Sequence, residues 1–134
     1  VPLPNATLLI VDDDAEIRFL VKAVLDRAGY NVLEAGDGET AIEIAETDQP
    51  DLILLDLSMP GRDGIEVATE IRSRKGSGPL LVALSARHQP SDRERALAAG
   101  CDLFLSKPCP PSRLRQTVAD LLASRDTAKL ASCA

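Results

Sequence analysis

Apolar residues fall into five short runs, each followed by a segment in which they recur at three- or four-residue spacing. The runs are Leu8-Leu9-Ile10-Val11, Asn31-Val32-Leu33-Glu34-Ala35, the stretch from Asp51 to Asp56, Leu80-Leu81-Val82-Ala83-Leu84, and the stretch from Cys101 to Ser106. The first, third and fourth, short and continuous, suit strands buried on both faces of a parallel sheet, and the second and fifth read as further strands. The intervening segments predict helices. In the first, Ile17, Leu20, Val21, Val24 and Ala28 form the apolar face of a helix from Ala15 to Ala28, stopped by Gly29. The second runs from Glu39 to Glu46 with Ala41, Ile42 and Ile44 or Ala45 inward, and the third from about Ile65 to Arg74. The fourth runs from about Ser91 to Ala99 before Gly100, and the fifth from about Ser112 to Ala123 with Leu114, Val118, Leu121 and Leu122 on one face. Regular strand–helix alternation predicts an α/β fold, a five-stranded parallel sheet with helices on both faces. Residues 1–6 read as a disordered lead-in, 7–123 as one domain and 124–134 as a flexible tail.

Composition narrows the class. The chain of 134 residues is 45% hydrophobic and 27% charged, which suits a single globular domain rather than a disordered or fibrous chain. Only 2% is aromatic, so the core must be aliphatic. A net charge of -6 argues against a nucleic-acid surface, which needs clustered Lys and Arg. No apolar run reaches the ~20 residues of a membrane span, and Val1-Pro2-Leu3-Pro4 lacks the features of a signal peptide; a cytoplasmic protein is expected. Cys101, Cys109 and Cys133 have no metal-ligand spacing and read as buried or tail thiols, with a redox role for Cys109 as the alternative.

The chemistry lies where the runs end. The first delivers Asp12-Asp13-Asp14 to one spot, and such crowding calls for a compensating cation, for which a hard divalent ion is suited. Asp14 also suits a helix N-cap. The third run ends on Asp56 before Leu57-Ser58-Met59-Pro60-Gly61, the fourth on Ser85-Ala86, and the fifth on Lys107-Pro108. In a parallel sheet these ends share one rim, the usual place for ligands in open α/β folds. The plainer alternative for Asp56 is a cap of the following turn, and for Lys107 a structural salt bridge.

The segments Val11-Asp12-Asp13, Leu55-Asp56-Leu57-Ser58-Met59-Pro60-Gly61, Asp63-Gly64, Leu84-Ser85-Ala86 and Ser106-Lys107-Pro108 together resemble the receiver domain of two-component response regulators, over residues 7 to 123. The resemblance implies the flavodoxin-like strand order 2-1-3-4-5 and a function as phosphoacceptor, not as an enzyme with an external substrate. Asp56 would take a phosphoryl group from a histidine kinase or histidine phosphotransfer protein. Mg²⁺ would be held by the carboxylates of Asp13 and Asp56, the backbone carbonyl of Ser58, and Asp12 through water. Lys107 would stabilise the phosphoryl group, Ser85 and Phe104 would switch on phosphorylation, and the Lys107–Pro108 peptide would be cis. Crowding by Asp12 and Asp13 would raise the pKa of metal-free Asp56. A downstream protein target is implied, with no direct nucleic-acid binding and no membrane partner.

Several positions depart from the family pattern. Phe104 stands where Tyr is common, and with no hydroxyl to keep wet it has less reason to face outward. Cys109-Pro110-Pro111 follows Pro108 where Phe is common, stiffening the start of the last helix. Arg87, with Ser58, would flank the path of water to an acyl phosphate and slow its hydrolysis. His88 reads as an ordinary exposed loop residue, and Asp92, Arg93, Glu94 and Arg95 as a solvated helix face that can also serve output. Ala15, Ile17 and Phe19 with the loop from Pro108 to Pro111 would dock the histidine donor, plain core packing being the alternative for Ile17. A phosphorylation-independent receiver-like interaction module is the competing reading. An aspartyl-phosphate phosphohydrolase would need Asp-x-Asp-x-Thr or Val where Asp12-Asp13-Asp14-Ala15-Glu16 stands, and no glycine-rich phosphate loop is present. The short tail suits a stand-alone receiver, with a piece of a longer regulator as the alternative.

Overall fold

Five strands, β1 (Thr7–Val11), β2 (Asn31–Ala35), β3 (Leu52–Asp56), β4 (Leu80–Ser85) and β5 (Leu103–Ser106), pair in parallel in the order β2-β1-β3-β4-β5. Helices α1 (Ala15–Arg27), α2 (Gly38–Asp48), α3 (Gly64–Arg74), α4 (Pro90–Ala98) and α5 (Pro111–Cys133) connect and follow them. The computed structural model describes residues 6–59, 63–74, 78–86 and 90–133.

Because successive strand side chains point to opposite faces, the continuous apolar runs divide into two cores. Leu8, Ile10, Leu52, Leu54, Val82 and Leu84 pack against Val21 and Leu25 of α1 and Leu114, Val118 and Leu122 of α5. Leu9, Val11, Ile53, Leu55, Leu81 and Ala83 face α2, α3 and α4 through Ala41, Ile42, Val67, Ala68, Ile71 and Ala96. β3 is buried along its whole length, which is why its sequence shows no alternation. Gly29 and Gly100 end α1 and α4 with φ of 100° and 107°, a backbone region open to glycine. No helix among the described residues is long and apolar enough to cross a membrane.

Three boundaries and one helix face differ from the sequence expectation. Ala6, assigned to a lead-in, is buried, and its carbonyl accepts from Asn31 N at 2.9 Å. β5 begins at Leu103, not Cys101, because the Asp102 carboxylate turns back to accept from Leu81 N at 2.8 Å. α5 runs through the tail expected to be flexible. Its sequence from residue 112 onward contains no Gly or Pro, and Arg125 secures it by donating to Asp51 O at 2.8 Å and Gly78 O at 3.3 Å. In α1 the fully buried residue is Leu25, absent from the expected face, while Ile17 and Leu20 are 37% and 56% exposed. The first turns of α1 stand at the carboxyl rim of the sheet, where little lies beneath them.

Candidate functional site

β1 and β3 are adjacent, so their ends bring Asp12 and Asp56 to one place. Asp12 and Asp56 are each 3% exposed, and Asp13 is exposed. One carboxylate oxygen from each of the three lies within 4.8 Å of the others. Lys107, carried past the end of β5, places Nζ 3.2 Å from Asp12 Oδ2 and 3.1 Å from Asp56 Oδ2. The structural salt bridge expected for Lys107 is therefore present. The Lys107–Pro108 peptide is cis.

The Asp56 carboxylate accepts from Ser58 N at 2.9 Å through Oδ1 and from Lys107 through Oδ2. Its carboxyl group is nevertheless held above the ordinary range. Burial is the largest cause, opposed by the Ser58 N–H and Lys107, with the Asp12 charge a smaller addition. The expected crowding is present through Asp12, and desolvation adds the larger part. For Lys107 burial acts to lower the pKa, but the carboxylates of Asp56 and Asp12 outweigh it and raise the ammonium above its usual value. The turn after Asp56 depends on a glycine. A Cβ on Gly64 would lie 2.7 Å from Leu57 Cα, so only glycine lets the start of α3 close over this turn.

Among the described residues three carboxylates face one ammonium, and Asp13 makes no side-chain hydrogen bond. An oxygen-rich, under-neutralised cluster is the donor set a hard divalent cation requires, and the residues fit Mg²⁺ in number and type. Asp14 separates from this set: it caps α1, accepting from Glu16 N at 3.0 Å and Ile17 N at 3.3 Å. Ser85 ends β4 fully buried, and its carbonyl accepts from Lys107 N at 2.8 Å. Phe104 is half-buried against the α2–α4 core, beside Ala83. Arg87, His88, Pro60, Gly61 and Arg62 lie outside the described residues. Burial pushes the Cys109 thiol up, and Cys101 up to about 11, so neither is a ready thiolate.

Sequence reasoning missed the support behind Asp12. Arg18 Nη1 donates to Asp12 O at 2.6 Å, and its Nε lies 3.3 Å from Glu34 Oε1. No local signal marks this contact, because Arg18 and Glu34 meet only once β2 lies beside β1. Between the rim ends of α1 and α5 an apolar cavity of about 380 Å³ opens, lined by Ile17, Leu20, Leu84, Pro108, Cys109 and Leu114 among others. Beside it Phe19 is 70% exposed.

Comparison with known proteins agrees with this geometry. The family pattern of the response regulator receiver domain matches residues 8–119. The alkaline phosphatase synthesis transcriptional regulatory protein PhoP of Bacillus subtilis is 39% identical over 124 residues, 92% of this chain and 51% of PhoP. The transcriptional regulatory protein PdtaR of Mycobacterium tuberculosis is 44% identical over 102 residues, 75% of this chain and 49% of PdtaR. The chain thus spans about half the length of the curated relatives it matches. Among solved structures, the Vibrio cholerae chemotaxis protein CheY4 superposes with a TM-score of 0.79 at 32% identity, covering 85% of this chain and 96% of CheY4. The order β2-β1-β3-β4-β5, the acidic rim with its lysine and these similarities establish that the chain belongs to the receiver domain family of two-component response regulators.

Proposed function

We propose that Asp56 is the phosphoacceptor of this receiver, taking its phosphoryl group from a phosphohistidine on a histidine kinase or phosphotransfer protein. The observation that carries the reading is the position of Asp56: a buried carboxylate bonded to the Lys107 ammonium, with two further carboxylates within 4.8 Å. As the Asp56 oxygen–phosphorus bond forms, the nitrogen–phosphorus bond breaks and its electron pair returns to the imidazole. Lys107, already placed between Asp12 and Asp56, holds a positive charge against the transferred oxygens. Asp13 and Asp56 would hold Mg²⁺ through carboxylates, Ser58 through its carbonyl and Asp12 through water; the cation supplies charge neutralisation on the phosphoryl oxygens. Asp56 is consumed and regenerated as an acceptor, so the domain is a switch component and not an enzyme with an external substrate.

Ser85 sits one strand from Asp56 and is suited to donate to the new phosphoryl group, with Phe104 following the movement of its loop. The donor docks on Phe19, Ile17 and Leu20 and over the apolar cavity that separates α1 from the Pro108–Pro111 segment. The partners are proteins on the cytoplasmic side, the donor and a downstream target, and this domain makes no nucleic-acid contact of its own. Intact-protein mass after incubation with a small-molecule phosphodonor tests the assignment. One phosphoryl group appearing only with Mg²⁺, and absent from Asp56→Asn, supports it. No addition to a folded protein that binds Mg²⁺ would replace it with a phosphorylation-independent interaction module.

A further inference from the structure

Two of the three rim carboxylates, Asp12 and Asp13, are presented with Asp14 by one loop whose own charges push it apart, so something must hold the backbone there. Asp13 and Asp14 offer no restraint on Asp12 beyond the Asp14 N–H, which donates to Asp12 Oδ1 at 2.9 Å. The Asp12 backbone is gripped from two other sides. Its N–H donates to Ala35 O at 3.1 Å, and its carbonyl accepts from Arg18 Nη1 at 2.6 Å. Arg18 comes from the second turn of α1 and reaches back over the loop, while Glu34 on β2 fixes the other edge of its guanidinium. Gly36 leaves room for that guanidinium: a Cβ there would lie 3.3 Å from Arg18 Nη1. One planar cation thereby ties α1, the end of β1 and the end of β2 together, with its charge directed at a carbonyl instead of at the pocket.

We propose that Arg18 is a positioning residue for the cation site, setting the backbone from which Asp12 and Asp13 face Asp56. The proposal rests on reading the acidic cluster as the Mg²⁺ site, and the parent protein tests that reading separately. A positioning role and a bare charge predict opposite signs. If Arg18 acted only as a positive charge near the pocket, removing it would tighten the binding of a divalent cation by relieving repulsion. If it positions the loop, removing it weakens binding, as loss of supporting contacts behind metal ligands does, by about tenfold or more.

The test is titration of metal-free protein with Mg²⁺, followed by amide NMR shifts of Asp12, Asp13 and Asp56 because the chain has no tryptophan. Thermal unfolding in chelator is recorded alongside. Arg18→Ala and Arg18→Lys should weaken Mg²⁺ binding, Lys less severely because it retains one donor but loses the fork. Gly36→Ala, which crowds the guanidinium without touching charge, should weaken it mildly. Lys22→Ala removes a cation from the same helix, where Lys22 pairs with Asp26 at 2.7 Å, and should leave Mg²⁺ affinity unchanged. Unchanged or tighter Mg²⁺ binding in both Arg18 variants, whatever their melting temperature, overturns the proposal. If Arg18→Ala fails to fold, Arg18→Lys and Gly36→Ala carry the test. Absence of Mg²⁺ binding by the parent would instead overturn the reading of the cluster.

Discussion

Aspartates stand at both ends of this sheet, and they are treated in opposite ways. At the amino end, Asp51 accepts from Thr7 N at 2.8 Å, and Asp102 accepts from Leu81 N at 2.8 Å and from Arg72 Nη2 at 3.0 Å. Each carboxylate there meets backbone donors or a guanidinium and serves as a staple between strands. At the carboxyl end, among the described residues, Asp12, Asp13 and Asp56 share one ammonium and two backbone N–H groups. The same residue type is a structural staple where donors are ample and, in the function proposed above, the acceptor and cation ligand where they are scarce. A carboxylate with its lone pairs occupied has little left to offer a cation or a phosphorus atom.

The contrast is tested most severely by exchanging which end is damaged. Asp56→Asn should abolish phosphoryl incorporation while the protein stays folded, whereas Asp102→Ala should incorporate phosphoryl like the parent. Asp102→Ala should instead lose stability, by about 2 kcal/mol in urea denaturation, because the buried Leu81 N–H is left without its acceptor. A phosphorylation defect in Asp102→Ala would break the division between the two ends. Next in size is Arg125→Ala, which removes the donors to Asp51 O and Gly78 O. A loss of about 1 kcal/mol is expected, with faster hydrogen exchange in the last turns of α5 and normal phosphorylation.

The smallest effect concerns pH in the absence of Mg²⁺. A carboxyl whose folded pKa lies above its unfolded value binds its proton more tightly in the fold, so its ionisation costs stability as pH rises through the window between the two. Asp56→Asn should therefore melt higher than the parent above that window, and the difference should close as pH falls below the ordinary carboxylate value of 3.8. Lys107 works the other way: its stabilisation is full below 10.5 and is lost as pH rises through its raised folded value. An Asp56→Asn protein less stable than the parent at neutral pH would mean that the Lys107 pair outweighs the burial cost.

Much of this was written in the chain. Continuous aliphatic runs such as Leu52–Leu55 specify buried parallel strands, since a strand covered on both faces has no position where a polar side chain can reach water. Strand–helix alternation and the polar residues after each run place Asp12, Asp13, Asp56, Ser85 and Lys107 on one rim, because every parallel strand ends on the same side. Their resemblance to a receiver supplied the strand order. What the one-dimensional pattern could not carry were interactions between elements that only the packed sheet brings together. Ile17 and Leu20 continue the apolar period of α1, yet they are exposed because the helix begins at the rim, beyond the strands that would cover it. Arg18 and Glu34 are ordinary polar residues until β2 pairs with β1, and Arg125 gains its role only when α5 lies across the loops before β3 and β4. Local periodicity fixes which residues seek burial. Whether a given surface finds a cover, and whether a carboxylate finds enough donors, depends on neighbours distant in sequence, and that was decided only by the tertiary structure.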